Sequence, residues 1–139
     1  MKIAVPFGAR AVAAEQTNIL RAALDAIGPE APVAVFDLDS TILSNKPRQA
    51  RIVRDFGRAR GVPALSRCEP RHVVSWDLRD TMRLCGLTDE EVRALHSALR
   101  QFWFQRFFTS EYCKDDTPVE GARGFLARVL AAGGEVLYV

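Results

Sequence analysis

Two short, uninterrupted apolar runs constrain this chain most: Val-Ala-Val-Phe at residues 33–36 and Val-Leu-Tyr-Val at residues 136–139. A short apolar run bounded by turn and acidic residues suits a strand buried on both faces, as in a parallel sheet. A helical pattern precedes the second run, with Phe125, Leu126, Val129 and Leu130 facing a core and Gly133-Gly134 ending it. A helix between two such strands implies a right-handed parallel crossover. The expected fold class is therefore α/β. With 48% hydrophobic residues among 139, the chain can build a core without a disulfide or metal staple.

Helical periodicity fills most of the remainder. Ile19, Leu20, Ala23, Leu24 and Ile27 predict an opening helix from near Glu15, stopped by Gly28-Pro29. Residues 46–60 predict a two-faced helix, with Ile52, Val53, Phe56 and Ala59 on one side and Arg48, Arg51, Arg54 and Arg58 on the other. A third helix is expected between Val73 and Cys85, with Leu78 and Met82 on one face and Gly86 closing it. Thr88 and Glu91 spell a capping box, followed by the stripe Val92, Leu95, Leu99, Phe102, Trp103 and Phe107. A second capping box, Thr117 with Glu120, is expected to open the last helix, with Pro118 at its first position. Residues 43–116 are too long for a plain crossover, so the chain divides into 1–42, a helical insert at 43–116, and a return to the core at 117–139.

Charge and cysteine content remove several function classes. The net charge of +2 gives no warrant for a nucleic-acid or membrane partner. Cys68, Cys85 and Cys113 are odd in number and form no C-x-x-C pair, so neither a disulfide framework nor a zinc ribbon is expected. His72 and His96 are the only histidines, and their scatter along the chain argues against a zinc site. Pro6, Gly8 and Arg10 interrupt the apolar opening, which weakens an export reading, and no stretch approaches a bilayer span. A cytoplasmic protein is expected.

The chemistry resides in residues 33–41, Val-Ala-Val-Phe-Asp-Leu-Asp-Ser-Thr. In an open parallel sheet, ligands bind beyond the carboxyl ends of the strands. Asp37 and Asp39 fall at that edge. One aspartate can attack phosphorus and form an aspartyl-phosphate. A second can protonate the leaving oxygen and then deprotonate the attacking water. Two carboxylates beside a phosphate need a hard cation between them, and magnesium accepts all the oxygens concerned. The plainer reading of Asp37-Leu38-Asp39-Ser40 is a strand-end turn, where Asp and Ser are common. The apolar strand before it and Ser-Thr-Ile-Leu after it favour the functional reading.

This stretch resembles motif I of the haloacid dehalogenase superfamily, an apolar strand followed by D-x-D-x-T, matched by Asp37, Asp39 and Thr41. The resemblance implies a HAD-like (Rossmannoid) parallel sheet with a helical cap inserted after the first strand. It implies that Asp37 is nucleophile and magnesium ligand. Asp39 would be the acid/base and give its backbone carbonyl to Mg2+, and Thr41 would support the loop. The second aspartate points to phosphate esters and away from dehalogenation. The closing stretch, with Pro118, Gly121, Gly133-Gly134 and residues 136–139, is similar to the segment that leads into motif II of that family. Motif II would begin at the next position, so the resemblance makes this chain an incomplete front portion. No residue here takes the motif II hydroxyl, the later lysine or the late acidic pair. Asp115 and Asp116 precede the second strand and read as a solvated turn. The expected function is a Mg-dependent phosphomonoesterase acting on a small phosphorylated substrate, with a HAD-like binding or regulatory protein, or a phosphotransferase, as alternatives.

The insert lies where the family carries its cap, which excludes water and selects the leaving group. Between Lys46 and Arg106, thirteen cations face seven carboxylates. Most of these arginines read as a solvated helix face, with Arg51 and Arg54 the candidates to hold a phosphate or carboxylate. Residues 102–108, Phe-Trp-Phe-Gln-Arg-Phe-Phe, read as packing between cap helices rather than base stacking. Trp76 and Trp103 are candidates to line a pocket over the substrate.

Overall fold

A computed structural model describes residues 13–28 and 33–139. The opening residues, whose apolar run bears on export, lie outside these apart from their end, as do Pro29 and Pro32. In chain order the elements are α1 (Ala13–Asp25), β1 (Val33–Phe36), β2 (Leu43–Ser44), α2 (Lys46–Arg60) and α3 (Leu78–Leu84). There follow α4 (Asp89–Phe104), α5 (Ser110–Cys113), β3 (Thr117–Pro118), α6 (Ala122–Ala131) and β4 (Glu135–Tyr138). Two 3-10 turns, Leu65–Arg67 and Pro70–His72, join α2 to α3. The chain is mixed α/β and divides into two compact units. One combines the described residues up to Asp37 with Glu120–Val139, and the other is Leu38–Val119.

In the first unit β1 and β4 pair in parallel, in register from Val33 with Glu135 to Phe36 with Tyr138. The Val139 amide donates to the Phe36 carbonyl at 2.9 Å and carries the pairing one residue further. α6 packs on one face of this pair: Phe125 meets Phe36 edge-on at 6.0 Å, and Val129 is fully buried. Two expectations need correction. The strands are not covered on both faces, since Val35 is 57% and Leu137 53% exposed. Alternation explains this, because only one side of a two-stranded pair is packed by α6 and neighbouring residues point to opposite sides. Leu130 likewise faces solvent rather than the core.

The start of α6 also differs from expectation. Thr117 and Pro118 form β3, antiparallel to Leu43 and Ser44, so the Thr117/Glu120 capping box and the Pro118 helix start do not form. The helix is instead headed by Gly121 at φ +80°, a left-handed turn that a side chain would strain. Long-range strand pairing has taken the backbone that a local cap would have used.

The second unit is organised around α2. Ala50, Ile52, Val53 and Phe56 are buried, whereas Ala59, assigned to the same face, is exposed. Gly61 ends the helix at φ +66°. Leu78 and Met82 of α3 and Val92 and Leu99 of α4 pack into one core with Phe56 and Leu65. The Thr88/Glu91 capping box forms in full. Phe107 lies past the end of α4 and anchors a smaller cluster with Ile52 and Tyr112.

Gly57 permits the closest approach in this core. A Cβ there would lie 2.7 Å from the Leu65 carbonyl carbon and closer still to the Ser66 amide nitrogen. Backbone cannot swing aside as a side chain can. Overpacking in Gly57→Ala should cost about 1–3 kcal/mol against the ~1 kcal/mol that alanine ordinarily adds to a helix, a net loss of up to about 2 kcal/mol. Urea denaturation checks this, and an unchanged or higher midpoint would show that the turn after α2 yields.

Candidate functional site

Asp37 follows the last residue of β1 and is exposed. It closes the first unit, and Leu38 opens the second. The next turn is tight: the Leu38 carbonyl accepts from the amides of Ile42 and Leu43 at 3.2 and 2.9 Å, and the Ser40 amide donates to the Leu43 carbonyl at 2.7 Å. Ser40 sits at φ +65°, the left-handed region that costs a non-glycine residue free energy and that structures retain where neighbouring contacts enforce it. Thr41 lies in the same turn, exposed. β2 leaves the turn, and the Val119 amide donates to the Ile42 carbonyl at 2.9 Å, beside the β2–β3 pair.

The turn delivers Asp39 to a buried arginine. Arg48, on the first turn of α2, is 2% exposed. Its Nη2 donates to Asp39 Oδ1 at 2.7 Å and to Asp116 Oδ2 at 2.8 Å, and its Nε donates to Asp116 Oδ1 at 2.9 Å. Nη1 donates to the Phe107 carbonyl at 2.7 Å and to Cys113 Sγ at 3.3 Å. The guanidinium also lies 3.9 Å from the centre of the Phe107 ring, with Trp103 stacked on that ring at 4.1 Å. Arg48 thus joins the residues entering the second unit to those leaving it, since Asp116 precedes β3.

These contacts correct two sequence readings. Asp116 is not a solvated turn: its side chain is 6% exposed and paired with Arg48. Burial pushes its carboxyl above the usual range, Arg48 pulls the other way, and Asp39 and Asp115 add to the rise. Arg48 is likewise not on a solvated face. No local signal in the sequence separates it from Arg51, Arg54 and Arg58, because the partners that bury it are up to 68 residues away.

The two arginines proposed to hold a substrate anion are engaged within the unit. Arg51 bonds to Glu111 Oε1 at 2.8 Å and to Asp115 at 3.3 Å, and stacks over Tyr112 at 4.3 Å. Arg54 donates to the Cys68 carbonyl at 2.8 Å. Neither lines the groove that Asp39 borders. That groove, about 580 Å³ in volume, is walled by Trp76, Trp103, Phe107 and Phe108, with Arg79, His96 and Arg100 supplying positive or hydrogen-bonding groups. Trp76 and Trp103 both line it. Asp77 also borders it, held below the usual carboxylate range by hydrogen bonds from the Arg79 side chain and backbone. The Trp103 indole N–H is buried with no acceptor among the described residues, a donor that costs about 1–3 kcal/mol to leave unpaired.

Side chains able to ligate a metal ion are of two kinds. Asp37, an exposed residue, and Asp39, whose Oδ1 accepts from Arg48, carry carboxylate oxygens, the donor type that magnesium prefers. Among the described residues, the one converging group of three His, Cys, Asp or Glu side chains is Cys68, His72 and Cys85. Its sulfur donors do not suit magnesium.

No family model matches the chain, and neither does any curated protein or solved structure. No helix among the described residues is long and apolar enough to cross a membrane.

Proposed function

We propose that this chain is the nucleophile-bearing part of a magnesium-dependent phosphate-ester hydrolase. The observation that carries the reading is Asp37, exposed at the carboxyl end of a strand in a parallel pair and followed by Leu-Asp-Ser-Thr. In this reading Asp37 attacks phosphorus and Asp39 exchanges the proton of the leaving oxygen. Mg2+, held by Asp37 and the Asp39 backbone carbonyl with ligands from outside this stretch, would offset the charge that gathers at the phosphate. Arg48 takes Asp39 Oδ1, so Oδ2 is the oxygen that trades the proton. Within the second unit, the groove beside Asp39 has aromatic walls and two arginines, a lining suited to an apolar or aromatic group that carries negative charge.

Asp39→Asn, made in the protein completed by the remaining phosphate-site motifs, tests the assignment. Turnover of aryl phosphates with poor leaving groups should fall on the order of 10²–10⁴-fold, and turnover of those with good leaving groups much less. Equal slowing across the series would remove Asp39 as the acid. Acid quenching during turnover should also trap an acyl phosphate on the peptide carrying Asp37.

A second reading has its own support. The bond from Arg48 ties Asp39 into a buried structural network, as a binding or regulatory protein that kept the fold without the chemistry would use it. No magnesium-dependent phosphate release across the series by a protein that also carries the motif II hydroxyl, the later lysine and the late acidic pair would favour that reading.

A further inference from the structure

Cys68, His72 and Cys85 come from three separate elements: the end of the first 3-10 turn, the second 3-10 turn, and the C-cap of α3. Their ligand atoms all lie within 4.8 Å of one another, and Cys85 Sγ is 3.8 Å from His72 Nδ1. A tetrahedral zinc ion with its usual bond lengths sets its sulfur and nitrogen ligands about 3.6 Å apart and two sulfurs about 3.8 Å apart. Cys85 Sγ and His72 Nδ1 are already near that spacing, and the Cys68 sulfur lies within 4.8 Å of both. Cys68 is 1% exposed, whereas His72 and Cys85 are half-buried, so the group opens to solvent on one side. None of the three is in a disulfide.

We propose that Cys68, His72 and Cys85 form a binding site for one thiophilic divalent cation such as Zn2+, with a water molecule in the fourth position. Two thiolates and one imidazole match the preference of such ions for sulfur and nitrogen. On binding, the Cys68 and Cys85 thiols each release one proton to solvent, and the six-coordinate aqueous ion sheds all but one of its waters as two sulfurs and one nitrogen take their place. The two thiolates balance the charge of the ion. Coordination through Nδ1 displaces the bond that the Glu69 amide now donates to it at 3.0 Å. Glu69 is exposed, so that amide can turn to water. Arg54, donating to the Cys68 carbonyl, fixes the backbone behind the buried ligand.

This site is independent of the phosphate chemistry. It would staple the irregular stretch between α2 and α3, where the chain has two single 3-10 turns and no regular helix. A ligand bound only by the folded state raises its stability. The scatter of these ligands along the sequence concealed a group that the fold gathers.

The test is titration of the reduced, metal-free chain with Co2+ and then Zn2+. One Co2+ per chain is expected, with thiolate-to-cobalt charge-transfer and tetrahedral d–d absorption, both lost on adding Zn2+. Zn2+ should also raise the thermal midpoint. Cys85→Ser and His72→Gln, at half-buried positions, should each weaken Co2+ binding at least about tenfold, as the loss of even an outer-shell partner can. Cys113→Ser should bind as the wild type does. Cys68→Ser probes the buried ligand, and the other two variants decide the matter if it does not fold. Absence of stoichiometric binding, or binding unchanged in Cys85→Ser and His72→Gln, would overturn the proposal. So would a Zn2+ titration that leaves the thermal midpoint where it was.

Discussion

Asp37→Asn, made in the protein completed by the remaining phosphate-site motifs, should lower phosphate-ester turnover on the order of 10³-fold or more, the scale on which loss of a catalytic nucleophile is felt. The substitution keeps the shape of the side chain and removes the charge and the attacking oxygen. Asp37 is exposed at the end of β1, so stability should change by no more than about 1 kcal/mol, far less than turnover. Phosphate release with Mg2+ and urea denaturation of the same preparations separate the two effects. A loss of turnover with unchanged denaturation assigns the chemistry to Asp37. Retained hydrolysis removes it as nucleophile, and a loss that tracks unfolding assigns it a structural role. The comparison with Asp39→Asn is informative because the two residues should fail differently. Loss of the nucleophile removes every substrate alike, whereas loss of the proton donor spares good leaving groups.

How much of this arrangement could be read from the sequence depended on the range of the interaction concerned. The Thr88/Glu91 capping box is legible because both partners sit on one turn of helix, and it forms as expected. The parallel partnership of β1 and β4 is legible because apolar runs bracketing a helical pattern leave few other topologies. The Thr117/Glu120 box has the same spelling and fails, because Thr117 pairs with Ser44 across 73 residues of chain. Arg48 and Arg51 look alike on a helical wheel, yet one is almost wholly buried and the other is a quarter exposed. The difference lies in Asp116 and Phe107, which no periodicity links to α2. The same holds for Cys68, His72 and Cys85, whose spacing matches no metal-binding pattern until the 3-10 turns fold them together.

Arg48→Met should be among the most destabilising single changes in the second unit, costing about 3–5 kcal/mol, the range for removing one partner of a buried ion pair. Methionine fills much of the volume and can still pack on Phe107, so the loss reports the charge network rather than a cavity. Asp116 would be left with a side chain 6% exposed and no guanidinium, and the Phe107 carbonyl would lose its donor. Asp39 is 36% exposed at its side chain and can turn to water, so it should contribute less to the cost. Replacing both members of the buried pair, Arg48→Met with Asp116→Leu, should recover much of the loss, since a buried ion pair and a well-packed apolar pair are often close in free energy. Urea denaturation of the two single variants and the double variant forms the cycle. Additive losses would show that Arg48 and Asp116 act separately. In an active protein the same arginine has a second readout, because it fixes one oxygen of Asp39. If that contact orients the proton donor, a variant that still folds should show the leaving-group sensitivity of Asp39→Asn, whereas Asp116→Asn should not. An Arg48→Met profile that is lowered evenly across leaving groups would confine the residue to holding the two ends of its unit together.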